Sequence, residues 1–257
     1  MESENKEMVV LEWIFTPPDY FEEPFRVDRD NYEMTIENGK VEARMEAQYY
    51  DSEPDLWIKL HESLYARFLV AQILNAKPFE LPTPNMIRIL PDGKRHRRMF
   101  ADSGEYKLHG QPIDFRHTAA NGDVLSDTRR ERIEKRESLS ELVEKHREGN
   151  ATLQSLLNSL QSSVLDRDNE LIHLYEVREA LAKKLGGEDE ICSTLGISKK
   201  EWSELGRLAN YEPLKQGRHR GNHASEMRDA TEDELIKARR ISQTLLEKYL
   251  DYLDERV

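Results

Sequence analysis

Seven consecutive positions, Gly217-Arg218-His219-Arg220-Gly221-Asn222-His223, bring two arginines, two histidines, an asparagine and two glycines together in a chain that is otherwise acidic. Arginine presents a planar fork of donors that matches a phosphate, and histidine exchanges a proton near neutral pH. Arg218 with His219 and His223 is therefore a set suited to phosphodiester cleavage: an oxyanion holder beside two proton carriers. Arg220, Asn222 and the nearby Lys215 add donors for phosphate oxygens. The plainer reading is a basic loop whose side chains cap neighbouring helices or pair with surface carboxylates. A third reading uses the glycines to let the backbone approach a nucleotide or another phosphorylated small ligand, although no Walker or Rossmann glycine pattern accompanies them.

A second constellation lies just upstream. Ile191-Cys-Ser-Thr-Leu195-Gly196-Ile197-Ser198, followed by Lys199-Lys-Glu-Trp-Ser-Glu-Leu205, has the shape of a helix, a turn and a second capped helix. As a DNA reader, this helix-turn-helix would face the groove with Lys199, Lys200, Ser203 and Arg207. Glu201 and Glu204 would meet phosphates from the same short helix, which favours an ordinary helical corner. His173 and Glu176, three apart on a helix, could support the Arg218 loop, but a surface hydrogen bond is the plainer expectation. The run Lys94-Arg95-His96-Arg97-Arg98 reads as a charged edge strand that discourages sheet-to-sheet aggregation. The histidines show no metal-ligand spacing, and neither a metal nor a cofactor is expected.

The elements that position these residues follow two different periods. Before about residue 123 the period is mostly two. Tyr32, Met34 and Ile36 alternate with charged or polar residues, and after Asn38-Gly39 so do Val41, Ala43, Met45, Ala47 and Tyr49, which predicts a hairpin on a type I′ turn. A second pair of strands is expected over 86–90 and 94–100, turning at Asp92-Gly93. Between the pairs Trp57, Leu60, Leu64, Phe68 and Leu69 recur at helical spacing, so one helix over 54–76 should cover a face of the sheet.

After residue 123 the period becomes 3.6. Leu139, Leu142 and Val143 mark one helix, Leu153 to Val164 a second, and Leu171 to Leu185 a third, with stops at Gly149-Asn150 and Gly186-Gly187. A short helix should hold Ile191 and Leu195. Ser198 with Glu201, and Thr231 with Glu234, are capping boxes for two more. The expected fold class is an α+β N-terminal domain (antiparallel sheet with one covering helix) over residues 1–122, followed by an all-α helical bundle over 123–257.

Composition narrows the function. The 257 residues carry a net charge of −12 and are 34% charged, which argues against indiscriminate nucleic-acid coating. Residues 206–228 nevertheless hold five basic against two acidic side chains, so room remains for a small phosphate site. Cys192 is the single cysteine, which excludes an internal disulfide and a CxxC redox centre. No apolar run is long enough to span a membrane, and the start lacks the pattern of an export signal, so a cytoplasmic setting is expected.

A helical C-terminal region with Arg218, the polar His219 and then His223, placed shortly before the terminal helix, resembles the HEPN family of nucleic-acid-associated domains. The resemblance covers roughly residues 127–257 and does not extend to the N-terminal domain. It implies a homodimer through the helical domain and a metal-independent endoribonuclease of toxin–antitoxin or antiphage systems. In that scheme Arg218 holds the scissile phosphate, His223 handles the proton of the ribose 2′-hydroxyl or the leaving oxygen, and His219 assists. RNA is the expected partner and DNA the lesser one; the N-terminal domain's partner is not specified by its residues. The alternative is a non-catalytic helical dimerisation or regulatory module that contacts DNA through residues 190–210.

Overall fold

A computed structural model of the chain describes residues 6–98, 116–118, 124–218 and 227–256. It divides into two units, Met1–Phe68 with Phe79–Ile133, and Leu69–Pro78 with Glu134–Val257. The first unit is built on a six-stranded antiparallel sheet in the order β2-β3-β4-β1-β5-β6. The strands are β1 (Met8–Ile14), β2 (Phe25–Arg29), β3 (Tyr32–Glu37), β4 (Lys40–Glu46), β5 (Asn85–Ile89) and β6 (Arg95–Arg98). A separate hairpin pairs β7 (Arg116–Thr118) with β8 (Val124–Asp127).

The alternating pattern becomes a two-faced sheet. Val9, Leu11 and Trp13 of β1 stand opposite Met45, Ala43 and Val41 of β4, and all six are buried. The Asn38-Gly39 turn has positive φ at both residues, 50° and 79°, as a type I′ turn requires. Helix α2 (Leu56–Asn75) sets His61 and Phe68 against the sheet unit: the Trp13 indole donates to His61 Nδ1 at 3.1 Å, and the Phe68 ring lies 4.9 Å from that of Phe15. On the other face Glu12, almost buried, is satisfied by Lys40 at 2.8 Å and Arg97 at 3.1 Å. β6 is an edge strand, as its charge implied.

One expected strand ends early. The second arm of the hairpin stops at Glu46, and Ala47–Ser52 form a short helix, α1. Glu46 pairs with Met8, the first residue of β1, so the chain beyond it has no ladder partner there. The Ala47 amide instead donates to Glu7 O at 2.9 Å.

The second unit is helical: α3 (Thr128–His146, which begins in the first unit), α4 (Ala151–Leu165), α5 (Glu170–Leu185), α6 (Glu188–Leu195), α7 (Lys199–Gly206) and α8 (Glu232–Asp254). The residues of the 3.6 stripe form its core: Leu153, Leu156 and Leu157 of α4, Leu171, Leu174, Val177 and Leu181 of α5, and Leu245, Tyr249 and Leu250 of α8 are buried. Each such leucine contributes about 1.5–3 kcal/mol. Both capping boxes are present, at Ser198/Glu201 and at Thr231/Glu234. α5 packs on α4, α6, α7 and α8, so a residue on its free face is held by the whole unit. No helix among the described residues is long and apolar enough to cross a membrane.

Candidate functional site

Tyr175, Arg178 and Glu179 lie at i, i+3 and i+4 on α5 and so share one face. The chain leaving α7 comes back to that face. After α7 it makes a π-helical turn over Arg207–Tyr211, and the Arg218 amide then donates to Ala209 O at 2.8 Å. This bond fixes the first residue of the Arg/His motif against the turn. The Arg218 side chain completes the anchoring: Nη1 donates to Glu179 Oε1 at 2.6 Å, and the guanidinium lies 4.8 Å from the centre of the Tyr175 ring. The hydrogen bond that Arg218 donates to Glu179 holds the Arg218 charge even more firmly than usual.

Arg178 sits on the same ring. Its guanidinium is 5.1 Å from the Tyr175 centre and 4.4 Å from that of Trp202, and its Nη1 donates to Tyr175 Oη at 2.9 Å. Trp202, buried on α7, thus covers one part of the guanidinium while Tyr175 binds another. The fit depends on Gly206, where a Cβ would lie 2.8 Å from Arg178 Nη1. Nothing in the sequence singled out Arg178 or Tyr175; the retrievable signal was an Arg/Tyr pair at i, i+3 beside a glycine-ended helix.

Backbone hydrogen bonds and ion pairs join residues 213–215 to residues 228–229. Lys215 N donates to Arg228 O at 3.0 Å and Arg228 N to Pro213 O at 3.0 Å. Lys215 Nζ meets Asp229 at 2.8 Å, and Arg228 binds Glu234 with two bonds of 2.7 Å. His219, Arg220, Asn222 and His223 lie outside the described residues. Lys199 and Lys200, at the start of α7, are apart from the Arg218 contacts: Lys199 is bound to Asp189 at 2.5 Å, and Lys200 is exposed. Arg207 is bound by Glu204 at 3.0 Å and also by Glu212. The helix-turn-helix shape is therefore real, with Lys199 and Arg207 already engaged by carboxylates.

His173 lies between two carboxylates, 3.3 Å from Asp166 and 3.4 Å from Glu176, and Glu176 also accepts from Ser159 at 3.1 Å. Asn169 first and His173 second lower the Asp166 pKa below the usual range. The α5 carboxylate that reaches Arg218 is Glu179, one turn beyond Glu176. Among the described residues no group of three or more His, Cys, Asp or Glu side chains is arranged to hold a metal ion. In the sheet unit a cleft of about 360 Å³ is lined by Phe15, Phe21, Glu22, Glu23, Ile36 and Glu37; Glu22 is paired with Arg132 at 2.5 Å and Glu23 with Arg129 at 3.9 Å. No protein-family model, no curated protein and no solved structure matches the chain.

Proposed function

We propose that the helical unit is a HEPN-like module acting on RNA, with Arg218 as the residue that holds the phosphodiester. The observation that carries this reading is the double anchoring of Arg218: its main chain is tied to Ala209, and its guanidinium is bedded on Tyr175 and Glu179. An arginine held in this way has already lost much of its rotamer freedom, so less entropy is lost when it binds an oxyanion. With His223 as the proton carrier and His219 assisting, the ribose 2′-oxygen attacks phosphorus, the bond to the 5′-oxygen breaks, one proton leaves the 2′-hydroxyl and one reaches the leaving oxygen. The products are a 2′,3′-cyclic phosphate and a 5′-hydroxyl end. A homodimer that places two motifs face to face, in the cytoplasm, fits this chemistry and the single cysteine.

The DNA-reading alternative has less support, because Nε, Nη1 and Nη2 of Arg207 all donate to Glu204 or Glu212, whereas Arg218 gives only Nη1 to Glu179. The test is incubation of the full chain with single-stranded and structured RNA in a chelator. Cyclic-phosphate ends are expected, with Arg218→Ala and His223→Ala each slowing cleavage at least about 100-fold. Intact RNA, or variants that cut as fast as the parent, would overturn the enzyme reading.

A further inference from the structure

Arg178 is partly buried, unlike Arg240 and Arg256, the exposed arginines of the helical unit that likewise hold no carboxylate among the described residues. Arg167, Arg207, Arg218, Arg228 and Arg239 each hold a carboxylate. Among the described residues no carboxylate lies within ion-pair distance of Arg178, and its Nε is buried without a hydrogen-bond partner. A partly buried cation without a counter-charge is costly in any protein, and in one with a net charge of −12 carboxylates are plentiful. Its place is nevertheless well built. Trp202 stacks on it, Tyr175 accepts a bond from it, and Gly206 leaves room for it. Both aromatic contacts favour a cation, but neither neutralises it.

The second guanidinium is close. Arg178 and Arg218 lie 5.1 and 4.8 Å from the centre of one ring, that of Tyr175. The geometry points to a two-arginine clamp, Arg178 and Arg218 about Tyr175, that takes the phosphate oxygens of an RNA strand. Arg178 supplies the charge that lacks a counter-ion, and Arg218 reaches a second oxygen or the adjoining phosphate with the donors that Glu179 does not use. The clamp makes Arg178 a binding residue that the Arg/His motif does not contain. The inference rests on the RNA reading above and adds to it the residue that makes the second phosphate contact.

The test measures binding by the full chain of a fluorescein-labelled single-stranded oligoribonucleotide, by anisotropy across a series of KCl concentrations. Inorganic phosphate and a nucleoside monophosphate serve as competitors. Arg178→Met keeps much of the side-chain volume beneath Trp202 and removes the charge, and Arg178→Lys keeps the charge and removes the fork. Circular dichroism confirms that each is folded. Arg178→Met is expected to weaken RNA binding about tenfold and to reduce the slope of log K against log salt by about 0.7, the value for one phosphate contact on a single strand. A packing role alone would leave that slope unchanged. Arg178→Lys is expected to keep the slope and lose affinity through the missing stack and fork. Gly206→Ala provides an independent displacement of Arg178 and is expected to weaken binding in the same direction.

A folded Arg178→Met with parental affinity and slope overturns the clamp, even where His223→Ala abolishes cleavage and the nuclease reading stands. Binding that depends on Arg178, in a parent that cuts no RNA, upholds the clamp and removes the nuclease. Equal displacement by phosphate or monophosphate at micromolar concentration overturns RNA as the occupant. A parent that binds no RNA overturns both readings.

Discussion

Glu179 Oε1 accepts from Arg218 Nη1 at 2.6 Å, and about half of the Glu179 side chain is exposed. The same carboxylate that orients Arg218 therefore stands beside the position a phosphate would occupy. Coulomb repulsion at such a surface is modest, comparable to the about 0.2–1 kcal/mol of an exposed ion pair. Glu179→Gln is expected to raise affinity for single-stranded RNA about threefold at low salt and to have no effect at about 1 M salt, where screening is complete within a few ångströms. Anisotropy titrations check this. A loss of affinity would show that the aim of Arg218 matters more than the neighbouring charge.

Acid should loosen the helical unit over a definite range. Glu204, held by Arg207 and then Lys237, and Glu234, held by Arg228, are each lowered to about 2 from an ordinary 4.5. Carboxylates with depressed values bind fewer protons in the folded than in the unfolded chain, so their contribution is complete above about pH 4.5 and lost as pH falls toward 2. Thermal midpoints measured from pH 6 to pH 2.5 should fall within that window. Glu234→Gln should lower the midpoint at pH 6 and flatten the decline below it.

Glu170 is 1% exposed and is held by Arg167 at 3.0 Å and by Arg239 at 2.9 Å. Removing the shared carboxylate takes a buried counter-charge from Arg167 and Arg239, which keep only Ala76 O and Glu232 as partners among the described residues. Glu170→Ala is expected to cost about 3–5 kcal/mol in urea unfolding. Glu170→Leu combined with Arg239→Met should cost less than Glu170→Ala alone, because the Arg239 cation is removed together with its counter-charge. An equal or greater loss in the double variant would locate the stability in the ion pairs themselves.

Gly39 combines a positive φ of 79° with a close approach: a Cβ there would lie 2.8 Å from Pro18 Cβ. Gly149 has φ 72° and open space around the corresponding position. The left-handed conformation alone costs a side chain about 1–2 kcal/mol. Gly39→Ala should therefore destabilise by more than Gly149→Ala, and the difference reports the contact with Pro18. Chemical denaturation of the two variants side by side is the measurement.

What local order decides was readable from residue order. The Asn38-Gly39 turn, the capping boxes at Ser198/Glu201 and Thr231/Glu234, and the stripe from Leu153 to Leu181 each depend on neighbours within a few positions, where spacing is a direct record of geometry. The limits of that record show at Glu46, where the hairpin ends because Met8, nearly forty positions away, is the last partner available. They show again in the end of α2, whose residues Leu69–Asn75 belong to the helical unit. The candidate site divides in the same manner. The spacing of Arg218, His219 and His223 marked the motif, while the counter-charges Glu179, Asp189, Asp229 and Glu234 were assigned only by the fold. So was the stacking of Arg178 between Tyr175 and Trp202: α7 is brought onto α5 by apolar burial, which is proportional to area and blind to sequence separation.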